Sequence, residues 1–367
     1  MSELLPISIT SIILAWVSEH TFFRYDLSTG RPKKDKFFFS LMLFCMILFA
    51  GLRTVFNDTE TYLLVYRNTN ASAPIIWKLG KNPGYHIVIR VCKYLKVSEQ
   101  TYILLYSAFI LITFLWFIRK YSTSFCLSVF ILITFDCFLF TMTAMKQCTA
   151  IAFCLIGIDQ YLQRHRIRAL LCLLVAILFH PYAILFLLVP LLFFRPWSYK
   201  TWLLLVFFTI IGLALQPLLG TIVDITSMIG EEYSVQELSG DGVNPFRLAV
   251  SSVPLALSFL TRRVIWNENN KTKNLFLNLS MLNAAIMIVG LFGTANYFGR
   301  LANYFLIFQS ITIPWLFNHF EIRSKRVIVS FALVGYSAYF AYSNLVNMNF
   351  DFAYNSISIW RYLRSLI

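Results

Sequence analysis

The chain has 367 residues, 58% of them hydrophobic and only 13% charged, with a formal net charge of +14. Soluble domains carry about 45–50% apolar residues, so soluble enzyme folds are excluded; continuous apolar runs without period-two alternation exclude a transmembrane barrel as well. Most basic residues lie in short loops between apolar runs, which is the positive-inside pattern and not a nucleic-acid patch.

Read in order, the first span covers Pro6–Phe23 and looks retained, since a basic n-region and a small-residue cleavage site are missing. Arg24, Arg31, Lys33, Lys34 and Lys36 follow, then a second span, Phe37–Leu52. The stretch 53–100 is polar and reads as a non-cytoplasmic loop. Its Pro83–Leu95 portion is too short and too basic to cross, and reads as a helix in the bilayer interface. Further spans are predicted over Tyr102–Ile118, Phe125–Met142 and Gln147–Leu162. After a basic turn, Arg164–Arg168, comes Ala169–Phe194, interrupted at His180-Pro181.

Leu203–Leu219 is the next span. The segment 220–245 holds Asp224, Glu231, Glu232, Glu237 and Asp241 without Lys or Arg, and reads as an acidic non-cytoplasmic loop. Phe246–Leu260, Leu275–Phe292, Leu301–Phe317 and Val327–Val346 complete the spans, and the tail WRYLRSLI reads as an aromatic-basic interfacial helix. The fold class is therefore an all-α polytopic integral membrane protein, one transmembrane domain over 1–367 with about 11–12 transmembrane or re-entrant helices. The seven cysteines form no CxxC pair and read as small hydrophobes.

The break at His180-Pro181 decides the topology. If Ala169–Phe194 crosses once, early and late basic loops fall on opposite sides. If it forms two short crossings or a re-entrant hairpin, every strongly basic short loop falls on one side and the acidic loop on the other, as the positive-inside rule favours. Arg53, Asp58, His86, Lys146, His180 and Arg300 then gather at the non-cytoplasmic face. Arg53, Lys146 and Arg300 stand alone where that rule calls for no cation, and arginine forks suit a phosphate or pyrophosphate. Asp58, Glu60, His86 and His180 are each candidates for a general base. No histidine spacing resembles a metal site, and no nucleotide-binding glycine motif is present.

The segments GLRTVFNDTETYLLVY, NPGYHIVIRVCKYL and MKQCTAIAFCLIGIDQYLQRHRIRALLCLLVAILFHPYAILFLL resemble the EpsG/Wzy-like polysaccharide polymerases of bacteria. The likeness covers the order of elements over most of the chain and is clearest from Gly51 to Phe194. Arg53, the pair Asp58-Thr59, Tyr62, the element Pro83-Gly84-Tyr85, and His180 carry it. Lys146-Gln147 stands where the family usually has arginine-glutamine, so charge is kept but the fork is lost.

The resemblance implies a GT-C-like polymerase architecture in the bacterial cytoplasmic membrane. It implies a glycosyltransferase that joins undecaprenyl-pyrophosphate-linked repeats into O-antigen, capsule or exopolysaccharide. No metal or cofactor is implied, and a chain-length regulator is a candidate partner. On that basis Arg53, Asp58 and His180 are expected to be catalytic. Arg300, Lys146, Gln147, Thr59, Tyr62, Tyr85, His86 and Asn296 are expected to bind substrate. The competing readings are an O-antigen ligase, which usually has a longer outer loop, and a lipid-linked-oligosaccharide flippase, which should distribute its charges along a channel.

Overall fold

The computed structural model describes residues 4–21, 35–72, 74–228, 233–240, 242–346 and 353–354, with Asn296, Leu345, Val346, Ala353 and Tyr354 described by their backbone only. Arg24, Arg31, Lys33, Lys34, Glu231, Glu232, Asp241 and the WRYLRSLI tail lie outside these residues. The helices in chain order are α1 (Leu4–His20), α2 (Phe37–Gly51), α3 (Thr59–Asn68), α4 (Pro83–Tyr94), α5 (Glu99–Tyr121), α6 (Phe125–Thr134), α7 (Cys137–Thr143), α8 (Met145–Leu162) and α9 (Arg166–Phe179). A 3-10 segment, Pro181–Leu192, follows. Then come α10 (Tyr199–Leu213), α11 (Leu215–Met228), α12 (Val235–Leu238), α13 (Pro245–Ser251), α14 (Val253–Leu260), α15 (Arg262–Glu268), α16 (Lys271–Gly290), α17 (Ala295–Asn303), α18 (Ile307–Phe317) and α19 (Ile322–Ala341). Strand β1 (Arg53–Val55) pairs antiparallel with β2 (Ala353–Tyr354), which ties the end of the chain to the end of α2.

Apolar composition drives these helices, and polar groups mark their starts. The Asp35 carboxylate accepts from the amides of Phe37, Phe38 and Phe39 at the head of α2. The Ser98 hydroxyl accepts from Thr101 N–H at α5. These bonds satisfy donors that a helix start leaves without intrahelical partners. α16 is buried along nearly its whole length and forms the centre of the bundle. Outward faces are apolar at helical spacing instead: Leu203, Val206, Phe207 and Ile210 on α10, and Val327, Phe331 and Val334 on α19, are exposed. Such stripes, on helices of this length and hydropathy, suit a lipid environment. The fold is that of an all-α polytopic membrane protein.

Several predicted spans are broken. By length and composition, Glu99–Tyr121, Lys271–Gly290 and Ile322–Asn344 are continuous candidates among the described residues. The predicted span Phe125–Met142 bends by 55° between α6 and α7. Leu203–Leu219 is cut at Ala214, where the chain turns by 97° into α11, so the segment predicted as a loop from Gly220 begins as helix. Phe246–Leu260 is interrupted at Ser252, with Pro254 at the start of α14 supplying no amide hydrogen. Phe37–Leu52 and Leu301–Phe317 are realised by shorter helices. Hydropathy averages over such breaks, because a single polar residue at a break, such as Asp136 or Ser252, is outweighed by its apolar neighbours.

The interruption at His180 is a hairpin. The start of α9 (Arg166, Ala169, Leu170) and the end of the 3-10 segment (Val189, Pro190) line one small groove, and the Tyr161 and Phe193 rings meet at 5.7 Å. A 12-residue 3-10 segment reaches about 24 Å, further than the same residues in an α-helix. The basic turns meet at one end of the bundle: Lys120 pairs with Asp159, Lys273 Nζ donates to Tyr121 O (2.6 Å), and Arg195 Nε donates to Asn269 Oδ1 (3.0 Å). The segment after α2, the His180 break, α17 and the end of α19 gather at the other.

Candidate functional site

A cavity of about 600 Å³ opens at that second end. Asn57 and Asp58 line it, with Asp136 and Thr143, Asn244 and Arg247, Gly299, Arg300 and Asn303, and Tyr342 and Ser343. Two arginines and two carboxylates from four chain regions therefore share one space.

Arg53 sets one wall without lining it. Its side chain is 0% exposed. Nε donates to Thr59 Oγ1 (2.9 Å), Nη2 to Met142 O (2.9 Å), and Nη1 to Ser107 Oγ (3.2 Å) and to Ala50 O. Ala50 and Met142 lie in the last turns of α2 and α7, whose terminal carbonyls lack intrahelical donors and carry partial negative charge. The guanidinium thus joins two helix C-termini and needs no carboxylate. Burial lowers its pKa to about 10, which still leaves it charged at neutral pH. Gly51 permits this: a Cβ there would lie 2.9 Å from Leu104 Cα, so only glycine lets α2 end against α5.

The turn beyond Arg53 is held in consequence. The Thr59 hydroxyl donates to Phe56 O (2.6 Å), and Asn57 Nδ2 donates to Thr143 Oγ1 (2.9 Å) at the end of α7. Asp58 projects at the cavity rim, half-exposed. Its carboxylate makes no hydrogen bond or ion pair to any described residue.

Arg300 comes from α17, whose Ala295, Gly299, Arg300 and Asn303 present one helical face to the cavity. Two carbonyls in the last turn of α17 are taken by neighbours. Gln147 Nε2 donates to Arg300 O (2.6 Å), and Asn283 Nδ2 donates to Ala302 O (2.7 Å). The backbone of Arg300 is pinned, while its guanidinium is exposed and engaged by no described residue. Arg247, from α13, donates through Nη2 to Asn303 Oδ1 (2.9 Å). A Cβ on Gly299 would come within 3.4 Å of Arg247 Nη1, so glycine leaves room for the second fork.

The remaining predicted residues form a second polar layer beside the cavity. His180 lies in the break of the hairpin, and its Nδ1 shares a 2.7 Å hydrogen bond with the Tyr304 hydroxyl. Lys146 sits 5.5 Å from the centre of the Tyr85 ring, a cation–π contact. Tyr85 is buried and packs edge-on to Tyr62 and His86. Tyr62 reaches toward Thr143 O at 3.4 Å. Burial, then Lys146 and Arg90, holds the His86 imidazole below its usual pKa. Thr59 is enclosed as a partner of Arg53. Asn296 lies on α17, its side chain outside the description.

Of the predicted residues, then, Asp58 and Arg300 line the cavity. Gln147 and Arg53 position its walls, and His180, Lys146, Tyr85 and His86 stand behind them. Arg247 and Asp136 were not predicted. Both had a signal: Arg247 is a lone cation at the end of a predicted span where the positive-inside rule calls for none, and Asp136 is a lone carboxylate inside an apolar run.

No curated protein and no solved structure matches the chain. A family model does match, from residue 36 to residue 362, and that range takes in the cavity residues and both layers around them. The chain belongs to the EpsG family.

Proposed function

We propose that this membrane protein joins oligosaccharide repeat units carried on undecaprenyl pyrophosphate into a longer surface polysaccharide. The family supports a polysaccharide-polymerase role in general. The observation that carries the finer reading is the exposed, unengaged Arg300 guanidinium beside Arg247 in a cavity that also holds carboxylates. By the positive-inside rule the basic end of the bundle faces the cytoplasm, so the cavity opens at the outer leaflet. The GT-C-like architecture and the placement in the bacterial cytoplasmic membrane belong to the same proposal.

In this reading the growing chain leaves its lipid carrier and is transferred to the next lipid-linked repeat. Negative charge builds on the departing pyrophosphate. Arg247, oriented by Asn303, and Arg300, whose backbone is pinned by Gln147, meet that charge with forked donors. A cavity carboxylate activates the acceptor hydroxyl. Arg53, expected from the sequence to grip the pyrophosphate, acts by holding the Asn57–Thr59 turn, and Gln147 acts by holding Arg300.

The test is the gel profile of surface glycan from cells lacking this gene, complemented with wild type or Arg300→Ala at matched expression. Collapse of the ladder to a single repeat on its carrier core, restored by wild type alone, supports a polymerase. Lipid-linked polymer accumulating without transfer to the core indicates a ligase, and repeats trapped on the cytoplasmic face indicate a flippase. A full ladder in the deletion strain removes the proposal.

A further inference from the structure

We propose that Asp136 is the general base that takes the proton from the acceptor hydroxyl, an assignment that rests on the polymerase reading above. Asp136 sits at the bend between α6 and α7, where the chain turns by 55°, and its φ of 56° lies in the left-handed region. Non-glycine residues seldom adopt that conformation, and such sites cluster where function requires a particular side-chain direction. The carboxylate opens into the cavity that Arg247 and Arg300 share.

Its partners are neutral. Ser343 Oγ donates to Oδ2 (2.6 Å) and Asn344 Nδ2 donates to Oδ1 (3.1 Å). Each oxygen thus accepts one bond and keeps a second lone pair for a ligand. Arg247 from α13, Tyr339 from α19 and the adjacent Cys137 are the ionisable groups that face it, and none forms an ion pair with it among the described residues. The other carboxylates within predicted apolar spans differ: Asp159 is enclosed and engaged by Lys120, Tyr121 and Gln163, and Glu19 accepts from Ser124 Oγ and Cys126 N, as structural groups would.

The rival bases are less well placed. Asp58 lines the same cavity but has no neighbour to orient it, and His180 lies outside the cavity wall with Nδ1 held by Tyr304. A base oriented by a third group is the arrangement that proton abstraction requires. In the step itself the acceptor O–H proton passes to the Asp136 carboxylate, and the oxygen bonds to the donor's anomeric carbon. The carbon–oxygen bond to pyrophosphate breaks, and the electron pair leaves on the polyprenyl pyrophosphate facing Arg247 and Arg300.

The experiment uses purified full-length protein in proteoliposomes, with lipid-linked single repeats extracted from cells lacking this gene. Asp136→Asn should slow chain extension by about 100-fold or more, with KM changed by less than about threefold. Asp224→Asn, at an exposed carboxylate of α11 outside the cavity, should stay within about threefold of wild type. Extension by Asp136→Asn within tenfold of wild type, or a change confined to KM, overturns the assignment. Should that variant fail to fold, carbodiimide labelling of the wild-type protein decides instead. Inactivation that tracks an adduct on Asp136, blocked by the lipid-linked repeat, supports it; activity surviving full modification of Asp136, or loss tracking Asp58, overturns it. Wild-type protein that extends nothing removes the polymerase reading itself, a distinct outcome.

Discussion

Replacing Arg53 by alanine separates a structural cation from a substrate contact. The guanidinium is enclosed and donates to Ala50 O, Met142 O, Ser107 Oγ and Thr59 Oγ1. Thr59 keeps its bond to Phe56 O, but the two helix-terminal carbonyls lose a side-chain donor. Two buried acceptors left in this way cost about 2–3 kcal/mol together. The vacated volume adds about 2 kcal/mol, for a total near 4–5 kcal/mol. For a chain of 367 residues that corresponds to a fall in melting temperature of roughly 6 °C. Arg53→Lys keeps the charge but cannot reach the same acceptors with a compact ammonium, and should recover less than half of the loss. The assay is thermal unfolding in detergent together with the glycan ladder at low growth temperature. Protein that does fold should extend chains with an unchanged KM for the lipid-linked repeat. Normal accumulation and melting combined with no polymer would refute the argument, because it would place the guanidinium on the ligand.

The other perturbations test the cavity and its supports. Arg300→Ala should abolish polymer while changing stability by less than about 0.5 kcal/mol, since the side chain is exposed and unengaged; a large melting shift contradicts this. Gln147→Leu frees the Arg300 carbonyl and lets α17 shift, so extension should fall by about tenfold with a raised KM for the lipid-linked repeat. Gly299→Ala should be tolerated, whereas Gly299→Leu should displace Arg247 from Asn303 and remove polymer at normal protein levels. For His86, burial, Lys146 and Arg90 hold the folded-state pKa below the unfolded value, so the unfolded chain binds more protons below about pH 6.5. The contribution is fully present above that pH and is lost as pH falls through the window. Melting temperature should drop on acidification, and His86→Asn should flatten the drop.

Class was legible in the chain because it is a one-dimensional property. Lipid exposure demands long apolar runs, and the distribution of basic loops along them marked the interruption at His180-Pro181 as a reversal. Asp58 and Arg300 could be picked out because each breaks a local rule of charge placement. What only the tertiary structure decided is which of these charges share a space. Arg53 and Arg300 look alike in sequence, two lone cations at the ends of spans. One is enclosed by the C-termini of α2 and α7, while the other faces an open cavity with its fork unengaged. Arg247 and Asp136 meet that cavity because α13 packs Arg247 against Asn303 and Gly299, α6 and α7 bend at Asp136, and Ser343 and Asn344 beyond α19 close against the carboxylate. Hydropathy averages a lone polar residue such as Asp136 into its apolar window, whereas packing converts the bend there into a side-chain direction. The sequence alone thus determines where charge is anomalous, and tertiary packing decides whether that charge is engaged by the protein or left open to a ligand.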